Sequence, residues 1–410
     1  MQKLKILTIL FFSLFSSAAL SQDELNGYLK VAAENNPGLK AKFNEYMAAL
    51  EVAPQVKSLP DPQVAFAYFI SPVETRVGPQ RLRVSASQLF PWFGTLGARE
   101  NSAIQAAKAK YEIFEEERSR LFNEVKGLYY NFYFNEKSIS IIRENINLLR
   151  IINKLVISRV EAGSVSMVDH YRLRMEINDL ENQLALLRDN KWVLQNKFRN
   201  LLNTEENLDI TVPENLWKTD FHLTRQAALD SVMNGNHQLL ELEFRQVALN
   251  HREEAARLSG YPQIRLGLDY IVTGAGESNL SGKDAFVFPV VGLTIPLYRN
   301  KYKAMVNEVA YLEIANEYRS EEKSNSLEIL FDKAWKDYLD AGRRISLNQD
   351  QLDLSKKSLD LLETEYTSGK ESFEEILRME RKVLKYNLEF EKAKADKQAA
   401  ISFLNYLMGK

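Results

Sequence analysis

The chain has 410 residues, 53 Lys and Arg against 55 Asp and Glu, a formal net charge of -2, and no cysteine. A balanced charge without a basic block gives nucleic acid no electrostatic footing, which excludes nucleic-acid binding as a main role. Without cysteine there are no disulfides and no cysteine to carry a lipid anchor.

Residues 1–21 read as a secretory signal. Lys3 and Lys5 supply the positive start, Ile6 to Leu20 the apolar run, and Ala19-Leu20-Ser21 the small-residue cleavage pattern before Gln22. The run is shorter than the ~20 apolar residues that a spanning helix needs, so export is the expectation.

Residues 22–410 state one pattern twice. Asn35-Asn36-Pro37 is echoed by Gly235-Asn236-His237, and Pro62-Gln63-Val64 by Pro262-Gln263-Ile264. Pro91-Trp92-Phe93 is echoed by Pro296-Leu297-Tyr298, and Ala162-Gly163-Ser164 by Ser368-Gly369-Lys370. The period of roughly 200 residues is far beyond that of a solenoid repeat, so each copy is half of one composite body. The division expected is repeat one 22–203, a Pro/Asp/Asn-bearing crossover 204–220, and repeat two 221–410.

In chain order, each repeat opens with helix (23–58 and 221–259), followed by two alternating strands. The strands are expected at 62–73, 80–91, 262–273 and 285–296. Val64, Phe66, Tyr68 and Ile70 alternate in the first, and Leu82, Val84 and Ala86 oppose Arg81, Arg83 and Ser85 in the second. Ile264, Leu266, Leu268 and Tyr270 oppose Arg265, Gly267 and Asp269 in the third. Such lengths cross an outer-membrane hydrocarbon layer when tilted; a small soluble sheet with one wet face fits the alternation equally well.

After each strand pair comes a very long helix and a return arm. Proline is absent from 92 to 212 and from 297 onward, and the apolar residues climb in alternating steps of four and three. Leu121, Val125, Leu128, Phe132, Ile139, Ile142, Ile146 and Leu149 form one ladder, and Leu327, Phe331, Ala334, Ala341, Leu352 and Leu359 form its counterpart. This is the coiled-coil period. Helices at 95–161 and 301–368 would each reach about 100 Å, but the return arms 165–203 and 371–408 only about 57 Å, leaving room for the repeat-opening helices to stack beside them. Four strands cannot close a barrel, and lipid tolerates no open edge, so the missing strands must come from other copies; three copies give twelve strands and closure by symmetry.

The chain resembles the TolC-type outer-membrane efflux channels. The residues that carry this are Ala33-Glu34-Asn35-Asn36-Pro37, Leu59-Pro60-Asp61-Pro62, and Gln88-Leu89-Phe90-Pro91-Trp92-Phe93-Gly94. The tip Arg159-Val160-Glu161-Ala162-Gly163-Ser164-Val165-Ser166-Met167-Val168-Asp169 is similar to the family's Arg-x-x-x-Gly-x-x-Ser-x-x-Asp pattern. The Pro-Trp-Phe-Gly element is more similar to the heavy-metal and cation-efflux branch than to the drug-efflux branch. The resemblance implies an α+β membrane protein: a homotrimer whose 12-stranded β-barrel in outer-membrane lipid continues into a periplasmic α-helical barrel. Its implied function is the exit duct of a tripartite efflux or secretion system, with a periplasmic adaptor (membrane fusion protein) joining it to an inner-membrane pump. A chain ending at Lys410 would lack the family's long C-terminal extension, and no Cys near Gln22 would exclude its lipidated form. The alternative class is a periplasmic or secreted coiled-coil adaptor or scaffold.

Two groups of residues are the functional candidates. At the hairpin tips, Gly163 and Gly369 would take the positive-φ turn, with Ala162, Ser164, Val165, Ser166, Ser368, Lys370 and Ser372 as exposed flanks for adaptor docking. Past the second tip, Tyr366, Glu371, Glu374, Glu375 and Arg378 lie where resembling channels narrow, and threefold symmetry would turn each acid into a ring; a solvated helix face is the plainer account. His170, His222, His237 and His251 lack metal-ligand spacing and no phosphate-cradling loop exists, so no catalytic, cofactor or metal site is expected.

Overall fold

The computed structural model describes residues 23–205, 210–217, 219, 221–275, 282–367 and 373–410. In chain order these form α1 (23–35), α2 (Pro37–Leu50), α3 (Val52–Lys57), β1 (Gln63–Thr75), β2 (Gly78–Phe90), α4 (Thr95–Glu161) and α5 (Met167–Leu202). The second half runs α6 (Arg225–Gly235), α7 (His237–Leu258), β3 (Gln263–Thr273), β4 (Ala285–Thr294), α8 (Arg299–Thr367) and α9 (Phe373–Leu407). The signal, the second tip and parts of the crossover lie outside the described residues.

The helices expected at 23–58 and 221–259 are broken, and the breaks explain the duplicated asparagines. Asn36 and Asn236 stand between helices. The Asn36 amide donates to the Leu201 carbonyl at 3.4 Å, and the Asn236 amide to the Leu407 carbonyl at 2.9 Å. Each thus satisfies a carbonyl that the last turn of a return arm leaves without a helical partner. Asn36 Oδ1 also accepts from the Leu39 amide at 3.0 Å, capping a helix whose first residue, Pro37, has no donor to lose. At the second site the chains come close: a Cβ on Gly235 would lie 2.8 Å from the Met408 carbonyl oxygen.

Chain packing divides the protein into two units, each described by itself. The first holds residues up to 41, 115–236 and 325–410. Its core is the helical ladder, with Tyr129, Phe132, Tyr133, Phe198, Phe331 and Leu404 fully buried. The hairpin part continues it through Ile142, Ile146, Leu149, Leu173, Leu180, Leu359, Ile376 and Leu384. Phe198 of α5 meets Tyr28 of α1 edge to face at 5.0 Å. Tyr129, Tyr130 and Tyr133 are additions to the ladder expected from sequence, and they displace Leu128, which is half-buried. An aromatic side chain removes more surface from water than leucine, so the helix rolls to bury the tyrosines.

The second unit comprises residues 42–114 and 237–324. Here α4 and α7 bury small side chains such as Ala107, Ala248 and Ala256, and Ser102 Oγ of α4 donates to the Ala248 carbonyl of α7 at 2.8 Å. Its sheet has the order β1-β2-β3-β4, antiparallel throughout. The β1–β2 turn is tighter than expected because Gly78 has φ +128°, where a Cβ would fall 2.1 Å from the Gly274 carbonyl oxygen. Strand β4 stops at Thr294, short of Pro296, which has no donor for the ladder.

Candidate functional site

The sheet register sorts side chains into two unlike faces. Phe66 stands beside Val84, Val84 beside Tyr270, and Tyr270 beside Phe286. With Ile264, Leu266, Leu268, Val291 and Leu293 they make one face largely apolar, with Gln88 beside Leu266 as a polar member near its end, and it is open: Ile70 is 94% exposed and Phe66 73%. On the other face Ala65, Ser85, Asp269 and Val287 follow one another across the strands. There Arg83 pairs with Asp269, and Arg265 donates to Gln63 Oε1 at 3.4 Å. Strands β1 and β4 have no neighbour on their outer edges among the described residues. No helix among the described residues is long and apolar enough to cross a membrane.

At the first hairpin tip, α4 ends in a paired closure. Gly163 has φ +72°; its amide donates to the Val160 carbonyl at 2.9 Å and the Ser164 amide to that of Arg159 at 3.0 Å. These two bonds satisfy carbonyls of the last turn, and glycine carries the left-handed residue without strain. Ser166 then caps α5, its hydroxyl accepting from the Val168 amide at 3.2 Å, with Asp169 in the first turn. Ala162, Gly163, Ser164 and Ser166 are exposed. Val165 is not: it is half-buried against the hairpin core. An apolar side chain just before the helix cap is covered by the helix it precedes, so Val165 leaves the set of exposed flanks. Ser368, Gly369, Lys370, Glu371 and Ser372 lie outside the described residues.

Four helices meet near Tyr366. Its ring lies 4.7 Å below the Arg159 guanidinium of α4 and 5.7 Å from Phe373 at the start of α9, and its hydroxyl is buried without a partner. Glu374 reaches Arg172 of α5 at 3.2 Å, whereas Glu375 pairs with Arg378 of its own helix. The candidates Tyr366, Glu374, Glu375 and Arg378 are thus brought together, with both described acids already facing a cation. Sequence reasoning missed two buried acids farther along α9. Glu391 of α9 accepts from the Tyr133 hydroxyl of α4 at 2.7 Å and from Lys394 at 2.8 Å. Burial, and then the Glu391 carboxylate, hold the Tyr133 phenol far above its ordinary pKa. Glu380 is buried as well, and burial followed by the like charge of Glu363 pushes its carboxyl up to about 7. No periodic signal marked either acid.

The histidines are dispersed: His170 contacts the Asn153 side chain at 2.9 Å and His237 the Glu112 carboxylate at 2.7 Å. Among the described residues no group of three or more His, Asp or Glu could hold a metal ion.

Solved structures share this arrangement over nearly the whole chain. The outer membrane protein VceC from Vibrio cholerae superimposes with a TM-score of 0.77, over 96% of this chain and 98% of that one, at 14% identity. CusC gives 0.76 over 94% and 92%, at 17% identity, and the outer-membrane channel OprN gives 0.76 over 96% and 92%, at 16% identity. The fold is that of the TolC-type outer-membrane channels. No family model matches the sequence. Toxin and drug export protein A of Aggregatibacter actinomycetemcomitans aligns at 25% identity over 199 residues, 47% of this chain and 40% of that protein's length.

Proposed function

We propose that the chain is the outer-membrane exit duct of a tripartite efflux or secretion system. Three copies form it: four strands from each close a 12-stranded barrel in outer-membrane lipid, and the helices form the periplasmic conduit. The observation that carries this reading is the two-faced sheet. An apolar face left open on an isolated chain, with unpaired edges on both sides, is unstable in water and unstable in lipid until both edges find strands. Strands of 10 to 13 residues suit a tilted crossing. The small and polar face, with its Arg83–Asp269 pair, then lines the lumen.

A second apolar surface supports the trimer. On α8, Leu347, Leu354 and Leu361 repeat every seven residues and are all exposed. A heptad stripe left exposed among the described residues fits a neighbouring helix in another copy. The hairpin tips dock a periplasmic adaptor in this reading, which links the duct to an inner-membrane pump; conduction is passive and needs neither catalysis nor cofactor. Residues 1–21 direct export, and repeats 22–203 and 221–410 each supply half of every copy's wall. VceC is an outer membrane protein and OprN an outer-membrane channel, and the aligned relative is an export protein, which favours the same location and class. A coiled-coil adaptor or scaffold has no use for an open apolar sheet.

The absence of native cysteine makes the test direct. Cysteines placed in pairs along β1 and β4, beginning with Phe66→Cys with Val291→Cys, should link copies into dimers and trimers in outer-membrane vesicles. If every register of such pairs leaves only monomer, or the chain is missing from the vesicles, the duct reading fails.

A further inference from the structure

One carboxyl group stands where the two hairpins pack together. Glu380, two turns into α9, is 3% exposed. Ile376, Leu377 and Leu384, on the same side of α9, all belong to the apolar hairpin cluster. Oε2 accepts a long hydrogen bond from the Asn145 amide of α4 at 3.4 Å, while Oε1 is buried with no partner.

The surrounding helices offer no positive charge. From α4 comes the neutral Asn145, and from α8 the like-charged Glu363. The nearby cations of α9 are engaged elsewhere, Arg381 with Glu176 of α5 and Arg378 with Glu375. No ion pair includes Glu380 among the described residues. A carboxylate taken out of water without a cation loses its hydration and gains no compensating attraction, so the neutral acid is the form that fits this packing. Glutamine would fill the same space without ever ionising.

We propose that Glu380 is a proton-binding site between the two hairpins. Protonated, it lets α9 pack against α4 and α8; ionised, it loosens that packing at the end of the bundle where Tyr366, Arg159 and Phe373 meet. The packing claim rests on this chain alone, and its consequence for conduction rests on the exit-duct reading. The packed form binds the proton more tightly than an opened form in which Glu380 regains its ordinary value of 4.5. Between that value and about 7 the packed form therefore holds more protons, so packing weakens as pH rises through this window and levels off above it.

Hydrogen exchange of the full chain in detergent, corrected for intrinsic rates, tests this. Amides of α9 around Glu380 should lose protection by up to about tenfold per pH unit between about pH 5 and 7, with a plateau above. Glu380→Gln should remove the slope and keep protection high, and Glu363→Gln should move the window to lower pH while folding normally. A wild-type profile flat across this range, or an equal slope in Glu380→Gln, overturns the site. Should Glu380→Gln not fold, an unmoved window in Glu363→Gln overturns it instead. A chain with the expected exchange profile that never conducts in planar bilayers sinks the duct reading and leaves the proton site standing.

Discussion

The helical ladder and the sheet use the same apolar residues in opposite ways. In the first unit Val125, Phe132, Ile142 and Leu149 turn inward, and water reaches almost none of their surface. In the second unit Phe66, Tyr68, Ile70 and Leu293 turn outward, and most of their surface is open. Hydrophobic burial stabilises the first arrangement within one chain. Nothing among the described residues covers the second, and in the exit-duct reading its apolar face meets lipid. On that reading one sequence is written for two solvents, and substitutions that respect one and offend the other can separate them.

The largest effect is expected in the ladder. Phe132→Ala removes a fully buried ring from the α4 core and should cost about 3–5 kcal/mol, seen as a lower unfolding midpoint of the detergent-solubilised chain. Phe66→Ala removes an equal ring from the open face and should leave that midpoint nearly unchanged. Comparable losses from both would mean that the sheet face is covered by the chain itself.

Adjacent residues sharpen the sheet side. Val291 is on the apolar face and Val290 on the opposite one, because Val291 stands beside Leu266 and Val290 beside Gly267. Val291→Arg should cost about 2–4 kcal/mol of membrane insertion near the bilayer midplane. Val290→Arg should be tolerated, its guanidinium facing the lumen. The measurement is the fraction of chain folded into outer-membrane vesicles, and equal incorporation of both variants would erase the distinction between faces.

The exposed stripe on α8 borders both regimes, being apolar, helical and uncovered. Leu354→Glu should weaken association between copies by about 1.5–3 kcal/mol, the burial of one leucine, and should leave a single chain's secondary structure intact. Dissociation of the detergent-solubilised trimer, followed against protein concentration, checks this. A trimer as tight as wild type would assign the stripe to the lumen or to another partner.

How much of this was legible depended on whether a residue obeyed its neighbours' period. Val64, Phe66, Tyr68 and Ile70 alternate without exception, and the strand containing them was readable to within two residues at each end. Leu347, Leu354 and Leu361 obey a seven-residue period too, but a second stripe on the same helix is hidden when only the most continuous ladder is traced. Glu380 and Glu391 could not be read from the pattern. Met379 is half-buried, whereas the buried position next to it is the acid Glu380. Helix rotation by a fraction of a turn follows from packing against three other helices, which no local spacing encodes. Asn36 and Asn236 were visible as a repeated motif, yet their role needed return-arm carbonyls 165 and 171 positions away. At the tips, Gly163 had a local reason to be glycine, whereas Val165 was judged by its loop position and not by the core beneath it.

The smallest effect separates structure from docking at the tip. Gly163 has φ +72° and open space around its α-carbon, so a side chain there would meet no neighbour and the only obstacle is the backbone conformation. A β-branched residue resists that region, and Gly163→Val should cost about 1–2 kcal/mol, confined to the turn between α4 and α5. Gly342 also has open space, but sits within α8 at ordinary helical angles. Valine there gains slightly in helix propensity, so Gly342→Val should be neutral or stabilising by about 0.4 kcal/mol. Neither change should move the global unfolding midpoint by much. If the tip must match a partner, Gly163→Val should lower export in cells at equal trimer levels, and Gly342→Val should not. Equal export by both would leave Gly163 a purely structural turn and remove the tip from the docking surface.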